Sequence, residues 1–223
     1  MEGSNVLFSI GPLQVTSTVT TMWGVIVVLG LFSYLATRKL KTVPGPQQNV
    51  AELAVESLQK YFTGNLGKEM AKKYLPIFAT FFVFIIVSNY TGILPGFGHM
   101  PGLATPTACL SVTAALGIIA FFTTHTVGIR ERGFGAYLKT FIMPIAVMLP
   151  LNLLEQVIRP VSLALRLYGN MYGEEMVTEQ LYEILPIGAP LIMNALSLIF
   201  CFIQAMVFTM LLSIYVSEAV GEE

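Results

Sequence analysis

Long uninterrupted apolar runs dominate the chain, and their lengths predict helices that cross a membrane. About 20 apolar residues span the roughly 30 Å hydrocarbon layer of a bilayer as a helix. Three segments have that length, and we predict membrane spans over residues 18–36, 74–94 and 107–127. Two longer apolar stretches predict helices over residues 141–176 and 184–217. Tilt within the usual range does not accommodate helices of that length, so we expect them to be steeply inclined or bent.

The segment between the first two predicted spans is amphipathic rather than apolar. Glu52, Glu56 and Lys60 lie on other faces than its apolar residues, which recur at helical spacing. Those apolar residues are Val50, Leu53, Ala54, Leu58, Tyr61 and Phe62. The pattern predicts a helix over residues 47–73 that lies on the membrane surface. Because the chain has no internal repeat and no low-complexity linker, we expect a single all-α membrane domain over residues 1–223.

The composition agrees with a membrane protein. Hydrophobic residues make up 55% of the chain and charged residues 11%, and the mean hydropathy is +0.73. A soluble domain carries about 25% charged residues. The formal net charge of -1 argues against a nucleic-acid partner, which favours a basic surface.

Cofactor and metal chemistry find little support in the residue types. All 13 acidic residues are Glu, and the chain contains no Asp. Cys109 and Cys201 stand singly in apolar runs without CxxC spacing, which is typical of small buried side chains. We therefore expect no disulfide, no metal site and no cofactor.

The basic residues predict the orientation of the chain in the membrane. Ten of the twelve Lys and Arg residues fall in two loops, and the N-terminus and residues 94–107 have none. The ten residues are Arg38, Lys39, Lys41, Lys60, Lys68, Lys72, Lys73, Arg130, Arg132 and Lys139. Since loops rich in Lys and Arg stay in the cytoplasm, the N-terminus is predicted outside. Five crossings then place the C-terminus in the cytoplasm.

The two remaining arginines lie inside an apolar stretch and are the strongest functional candidates. An arginine in the bilayer costs about 2.5–3.5 kcal/mol on insertion scales and by default indicates a functional site. Arg159 has Glu155 one helical turn earlier, so a locally neutralised structural charge remains an alternative for it. Arg166 has no acidic residue three or four positions away. We therefore interpret Arg166 as the functional residue.

Helical spacing places polar residues around these arginines. Arg159 and Arg166 are seven residues apart and share a face, which Ser162 and Asn170 flank. Glu175 is nine residues beyond Arg166, about half a turn around the axis and ~13 Å along it.

In the last long helix, Ser197 and Gln204 share a face with Asn194. That face is predicted to meet the arginine stripe. Hydrogen bonding between helices, without a role in transport, is the alternative for each of these polar residues.

The arginine stretch resembles a known family signature. The a subunit of F-type ATP synthases has the signature [K/R]-P-x-S-L-x-x-R-L-x-G-N-M, and this chain reads Arg159-Pro160-Val161-Ser162-Leu163-Ala164-Leu165-Arg166-Leu167-Tyr168-Gly169-Asn170-Met171-Tyr172. Supporting matches are Val43-Pro44-Gly45-Pro46-Gln47, Asn89-Tyr90-Thr91-Gly92-Ile93-Leu94-Pro95, and Gln204-Ala205 with Tyr215.

The resemblance implies a role in ion translocation. Arg166 would face a rotating ring of c subunits between two offset half-channels for protons or sodium ions. By the same match Glu175 lies in the outer half-channel, Asn170 near the junction and Gln204 beside Arg166. Arg159 and Ser162 would border the cytoplasmic side. Glu174 and Glu179 are the next candidates if Glu175 is not the acid.

The resemblance also implies partners and a location. The expected partners are the ring of c subunits, the b subunits of the peripheral stalk, the F1 sector indirectly, and the lipid bilayer. The expected location is the inner membrane of a bacterial cell. Alone, such a subunit is not an enzyme.

Two departures from the family pattern affect the outer pathway. At the start of the third span, Cys109 and Ser111 replace an acid and an amide of the pattern P-T-x-D-x-N-x-T. In the last helix, Ser197 stands where some members have His or Glu. Fewer titratable groups therefore remain to relay protons on that side.

The sequence disfavours two other functional classes. A self-contained secondary transporter would normally show inverted repeats and paired broken helices, which the sequence lacks. An intramembrane enzyme is disfavoured because His99 and His125 are 26 residues apart and no HExxH or GxSxG motif occurs.

Overall fold

Helices make up most of the described chain. The computed structural model describes residues 6–10, 13–38, 45–93, 104–142, 149–185 and 188–221. In chain order its elements are β1 (Val6–Ile10), β2 (Leu13–Thr16), α1 (Ser17–Thr37), α2 (Pro46–Thr91), a 3-10 turn (Pro106–Ala108), α3 (Leu110–Arg132), α4 (Phe134–Ile142), α5 (Leu149–Ile184) and α6 (Ala189–Val220). The two strands form a short antiparallel hairpin in which Ile10 pairs with Leu13. The predicted all-α class is confirmed.

Four of the described helices are long and apolar enough to cross a membrane. The four segments are Ser17–Leu35, Gln48–Thr91, Leu110–Arg132 and Leu191–Val220. Helix α5 is not among them, since arginine and glutamate residues interrupt its apolar sequence. Large apolar side chains such as Val27 and Leu191 are exposed in the isolated chain. An apolar outer surface suits a protein whose solvent is lipid, and the chain is a multi-pass membrane protein.

A break at Gly67 divides α2 into an amphipathic part and an apolar part. Gly67 has φ 70° and ψ 166°, a conformation that a residue without a Cβ adopts without steric cost. The sequence placed the change from surface helix to span near residue 73, six residues later. Phe62, before the break, is fully buried and its ring lies 5.0 Å from that of Phe78, after it. The apolar stripe of the first part is therefore used partly inside the protein, while Val50 at its start is exposed.

The two long helices extend over different residues from those predicted. Helix α5 begins at Leu149 and ends at Ile184, because glutamate, glutamine and leucine continue the helix beyond the apolar stretch. Residues 134–142 form the separate helix α4, and residues 143–148 lie outside the described residues. At 1.5 Å per residue, the 36 residues of α5 and the 32 of α6 give lengths of about 54 and 48 Å. Both exceed the thickness of a hydrocarbon layer.

The core lies where α2, α3, α5 and α6 meet, and it holds α5 in place. Leu167 of α5 and Leu212 of α6 are fully buried in this cluster. Contacts between α5 and α6 run antiparallel, since Arg159 meets Glu218 whereas Asn170 meets Gln204. Helix α5 also packs against α3, and α3 packs against α6. The arginine-bearing helix therefore lies with one face against two membrane-spanning helices.

The contact between α3 and α5 depends on a glycine. A Cβ atom added to Gly117 of α3 would lie 2.8 Å from the carbonyl oxygen of Pro160 and 3.2 Å from the Cβ of Ala164. Both neighbours belong to α5, and the nearer one is a backbone atom that cannot rotate away. Gly117 therefore allows the two helices to approach each other closely.

Candidate functional site

Arg166 lies on the exposed side of α5 and points away from the core. Its buried neighbours Leu163 and Leu167 face inward, while Arg166 itself is exposed. Arg166 shares an open face of α5 with Val157, Ile158, Val161, Ser162 and Leu165. Except for Ser162, these neighbours are aliphatic. This face, the Arg166 face, therefore presents one positive charge in an apolar surface.

No carboxylate of the described residues lies within ion-pair distance of Arg166. The ion pairs that the structure does contain join Lys73 to Glu131 and Arg159 to two glutamates. The sequence predicted that Arg166 lacks a partner within its own helix, and the described neighbouring helices do not supply one. A charge kept in this state can interact with a carboxylate that belongs to another molecule.

Arg159 differs from Arg166 although the two arginines share a helix and a spacing of seven residues. Arg159 donates to Glu155 at 2.7 Å, the pair that helical spacing suggested. It also pairs with Glu218 of α6, and its guanidinium carbon lies 4.9 Å from the centre of the Tyr215 ring. Two carboxylates thus neutralise Arg159 within the chain, and an aromatic ring packs against its guanidinium.

Asn170 and Gln204 connect α5 and α6 one turn beyond Arg166. The Asn170 side-chain amide donates to Oε1 of Gln204 at 2.5 Å. Gln204 is buried, whereas Asn170 is exposed on the side of α5 that carries the arginine. The structure therefore brings Gln204 directly to Asn170, and through it to the vicinity of Arg166. Ser197, seven residues earlier in α6, is also buried.

The two adjacent glutamates near the far end of α5 have different surroundings. Glu175 is exposed, whereas Oε1 of Glu174 is buried without a hydrogen-bond partner. Four more buried side-chain atoms in the described chain lack a partner: Ser88 Oγ, Asn89 Oδ1, Thr107 Oγ1 and Gln204 Nε2. Sequence reasoning assigned no role to Ser88, Asn89 or Thr107, although Asn89 and Thr107 fall within segments that resemble the family pattern.

Polar contacts at the opposite end join the ends of several helices. Lys73 of α2 and Glu131 of α3 form a salt bridge with an N–O distance of 2.5 Å. Arg132 donates to the carbonyl oxygen of Val220 at the end of α6 and, at 2.9 Å, to the hydroxyl of Thr140 in α4. The basic end of α3 and the C-terminal end of α6 therefore lie on the same side of the protein.

The described residues contain no arrangement suited to a metal ion. They include no group of three or more His, Cys, Asp or Glu side chains that could hold one. Cys109 and Cys201 both carry free thiols. The Cys201 thiol lies 3.9 Å from the sulfur of Met171, between α6 and α5.

Comparison with known proteins gives consistent matches along the chain. The family model for the ATP synthase A chain matches residues 19–217. ATP synthase subunit a 3 of Pelobacter propionicus is 41% identical over 208 residues, which cover 92% of this chain and 87% of that protein. ATP synthase subunit a of Moorella thermoacetica is 36% identical over 214 residues, which cover 96% of this chain and 95% of that protein. The protein of that name from Trichlorobacter lovleyi is 40% identical over 210 residues, with coverages of 92% and 88%.

Proposed function

The chain belongs to the ATP synthase A chain family, and from that premise we propose that it is the ion-translocating stator subunit of a rotary F-type ATP synthase. It acts within that complex and has no catalytic activity alone. The observation that carries the proposal is Arg166, an exposed charge on an apolar helix face without a carboxylate partner in the described residues. The missing carboxylate belongs to a ring of c subunits that turns past the Arg166 face.

Arg166 acts by favouring the charged form of each ring carboxylate that reaches it. A carboxylate that carries a proton or a sodium ion is neutral and can turn through lipid. When it meets the guanidinium, the nearby positive charge stabilises its ionised form, and the bound ion leaves. The guanidinium keeps its charge in this apolar setting, which a lysine would not guarantee. The same fixed charge repels cations and prevents a direct leak between the two half-channels.

The two half-channels lie on opposite sides of Arg166 along α5. We place Arg159 and Ser162 beside the cytoplasmic half-channel, and the segment from Asn170 to Glu175, with Gln204 and Ser197 of α6, beside the outer one. The contacts between α5 and α6 support this division. Because the two helices run antiparallel, Glu218 of α6 lies beside Arg159, and Gln204 lies farther along α5, beside Asn170. An offset between the half-channels obliges the ring to turn before an ion can leave on the other side.

The proposed partners follow the surfaces of the protein. The Arg166 face contacts the ring of c subunits, and the exposed apolar sides of the other helices contact lipid and the b subunits of the peripheral stalk. Contact with the F1 sector is indirect, through that stalk. The proposed location is the inner membrane of a bacterial cell.

Photocrosslinking within the intact complex tests which partner contacts the Arg166 face. We expect Val161→p-benzoylphenylalanine to give an adduct with the small ring subunit, because Val161 is exposed beside Arg166. Val27 of α1 is also exposed, and Val27→p-benzoylphenylalanine serves as the matched control, for which no ring adduct is expected. Mass spectrometry identifies the adducts. A ring adduct from position 27 and none from position 161 would refute the proposed interface.

The orientation in the membrane leads to a second test. Lys73, Arg130, Arg132 and the end of α6 lie at one end of the protein, as the salt bridge to Glu131 and the contact with Val220 indicate. By the positive-inside rule this end is cytoplasmic. In a chain with Cys109→Ser and Cys201→Ala, we expect a membrane-impermeant maleimide to label Lys68→Cys only from the cytoplasmic side. Labelling of that variant in intact cells would reverse the orientation.

A further inference from the structure

We propose that Arg132 is a positioning residue for ion translocation, because it holds the C-terminal end of α6 in place and α6 in turn holds the arginine-bearing helix α5. The inference rests on the proposed function and adds a residue that acts on Arg166 from a distance. The guanidinium of Arg132 lies where the ends of α3, α4 and α6 meet. This is the end of the protein that we place in the cytoplasm.

The junction of these three helices is built around Gly128 and Arg132, which lie four residues apart and therefore on one face of α3. A Cβ atom added to Gly128 would lie 2.6 Å from a ring carbon of Tyr137 in α4 and 3.1 Å from the Cβ of Ala219 in α6. One turn further along α3, Arg132 reaches the same two helices with its guanidinium. Close packing and hydrogen bonds thus define a single junction of α3, α4 and α6.

Arg132 caps the C-terminal end of α6. The last four carbonyl groups of a helix have no partner within it, and Nε of Arg132 donates to the carbonyl oxygen of Val220, the last residue of α6. Nη1 of the same side chain donates to the Thr140 hydroxyl of α4 at 2.9 Å. The positive charge also lies at the negative end of the α6 dipole. One side chain therefore fixes the end of α6 to both α3 and α4.

Gly221, directly after α6, leaves the space that this guanidinium occupies. It has φ 76° and ψ 30°, and its N–H donates to the carbonyl oxygen of Ser217 at 2.8 Å. This left-handed conformation would also suit asparagine. A Cβ atom at Gly221, however, would lie 1.1 Å from Nη2 of Arg132. Any other residue at this position displaces the guanidinium from the end of α6.

The same end of α6 holds α5 through Arg159. Glu218, two residues before Val220, pairs with Arg159, and the ring of Tyr215 packs against the same guanidinium. Arg166 follows Arg159 by seven residues, about two turns of α5, on the exposed side of that helix. A contact chain therefore runs from α3 and α4 through the end of α6 to the helix that carries Arg166.

This chain of contacts resists the force that the turning ring exerts on α5. The attraction between two charges falls as their separation grows, so a displaced α5 lets ring carboxylates pass Arg166 without releasing their ions. Fewer ions are then moved for each ATP. A contact that served stability alone would lower the yield of assembled complex and leave this ratio unchanged.

Two variants of the intact complex break the contact in different ways. Arg132→Ala removes the guanidinium, and Gly221→Ala displaces it without changing the charge of the chain. Gly133→Ala is the matched control, because Gly133 also has a positive φ, 80°, but a Cβ there meets no atom of the described chain within 4 Å. We expect both test variants to lower the rate of ion-driven ATP synthesis about tenfold, less than the hundredfold that a displacement of about 1 Å can cost. The control should keep the rate of the unsubstituted complex.

The second readout is the number of ions pumped per ATP hydrolysed, measured on the same reconstituted vesicles. Proton uptake is followed with a pH-sensitive dye and sodium uptake with a radioactive tracer, and synthesis rates are divided by the amount of assembled complex. We expect the ratio of ions to ATP to fall in Arg132→Ala and Gly221→Ala and to stay unchanged in Gly133→Ala. A lower yield of complex with an unchanged ratio would make the contact purely structural and would overturn the proposal.

Double variants show whether these residues act through one contact. Because Arg132→Ala already empties the space beside Gly221, adding Gly221→Ala should lower the rate little further. The same holds for adding Glu218→Gln to Arg132→Ala, if Arg132 acts through the pair of Glu218 with Arg159. Independent residues give additive losses, and additive losses in either pair would contradict the proposal.

Arg132→Lys covers the case in which the alanine variant does not assemble. Lysine keeps the charge but lacks the planar fork of donors, so it can serve one of the two acceptors and should show a partial loss in both readouts. Values equal to those of Gly133→Ala would overturn the proposal. Failure of the proposed function looks different, since the unsubstituted complex would then make no ATP with either a proton gradient or a sodium gradient.

Discussion

Replacing Arg166 by alanine is expected to abolish coupled ATP synthesis while leaving the protein folded and assembled. Arg166 is exposed on an apolar face of α5 and forms no ion pair with a described residue, so its removal breaks no ion pair within the described chain. Removing a charge from the bilayer also relieves an insertion cost. The ring carboxylate, in contrast, loses its partner. Two unit charges about 4 Å apart at an effective dielectric constant of 20 attract each other by about 4 kcal/mol, and this energy corresponds to about a thousandfold in rate.

The measurement is ion-driven synthesis in vesicles that contain the complex with Arg166→Ala, together with passive ion leakage through the membrane sector. We expect synthesis to disappear and leakage to rise, because the same charge separates the half-channels. Arg166→Lys should also be badly impaired, since an ammonium group loses its proton more readily when desolvated. Robust synthesis by the alanine variant would show that Arg166 is structural and would refute the mechanism.

Arg159→Ala makes an informative contrast with the same readouts. Arg159 holds Glu155 and Glu218 together and covers the Tyr215 ring. Its removal leaves two carboxylates close to each other without a countercharge, so the loss falls on stability as well as on transport. The structure thus separates an arginine whose charge is used inside the chain from one whose charge is available to a partner.

The sequence predicted the part of the site that depends on spacing within one helix. The absence of an acid near Arg166 and the pair between Arg159 and Glu155 both follow from separations of three and four residues. Glu218 could not be predicted in this way, because it lies 59 residues from Arg159 and reaches it only through the antiparallel contact of α5 and α6. The contact between Asn170 and Gln204 is an intermediate case, since the sequence predicted which face of each helix carries the residue but not how the two helices align.

The glutamates show how a family signature and a helical pattern can favour different residues. The signature assigns the outer acid to Glu175. The periodicity of Leu163, Leu167 and Met171 places Glu174 on the buried face, and that signal was present in the sequence. The sequence alone does not show that α5 buries this face against α6, so the signal could not be interpreted without the structure. Whether either residue serves transport stays a prediction.

Helix boundaries were less predictable than helix existence. Gly64 and Gly67 both lie in the amphipathic segment, and only the positive φ of Gly67 shows where α2 breaks. Hydropathy predicted that the helix starting at residue 141 ends near residue 176, whereas α5 continues to Ile184. Hydropathy measures the preference for lipid, whereas the last residues of α5 include glutamate, glutamine and leucine, which favour a helix whether or not they are apolar.

The close contact of α3 with α5 leads to the second large effect, for Gly117→Val. A Cβ at this position lies 2.8 Å from the backbone oxygen of Pro160, so α5 has to move away from α3. Pro160 is six residues before Arg166, and the displacement is transmitted along a continuous helix. Overpacking in a core costs about 1–3 kcal/mol. A displacement of about 1 Å near reacting groups costs on the order of a hundredfold in rate.

We expect Gly117→Val to lower the synthesis rate per assembled complex about a hundredfold and to lower the thermal midpoint of the complex. Gly30→Val is the matched control, because a Cβ on Gly30 of α1 meets no atom of the chain within 4 Å. The two variants place the same side chain in two membrane-spanning helices, so they share any general effect of a branched residue on helix stability. A Gly117→Val complex with the rate and midpoint of the control would mean that α5 does not depend on α3 for its position. In that case the placement of Arg166 would rest on α6 and on the ring itself.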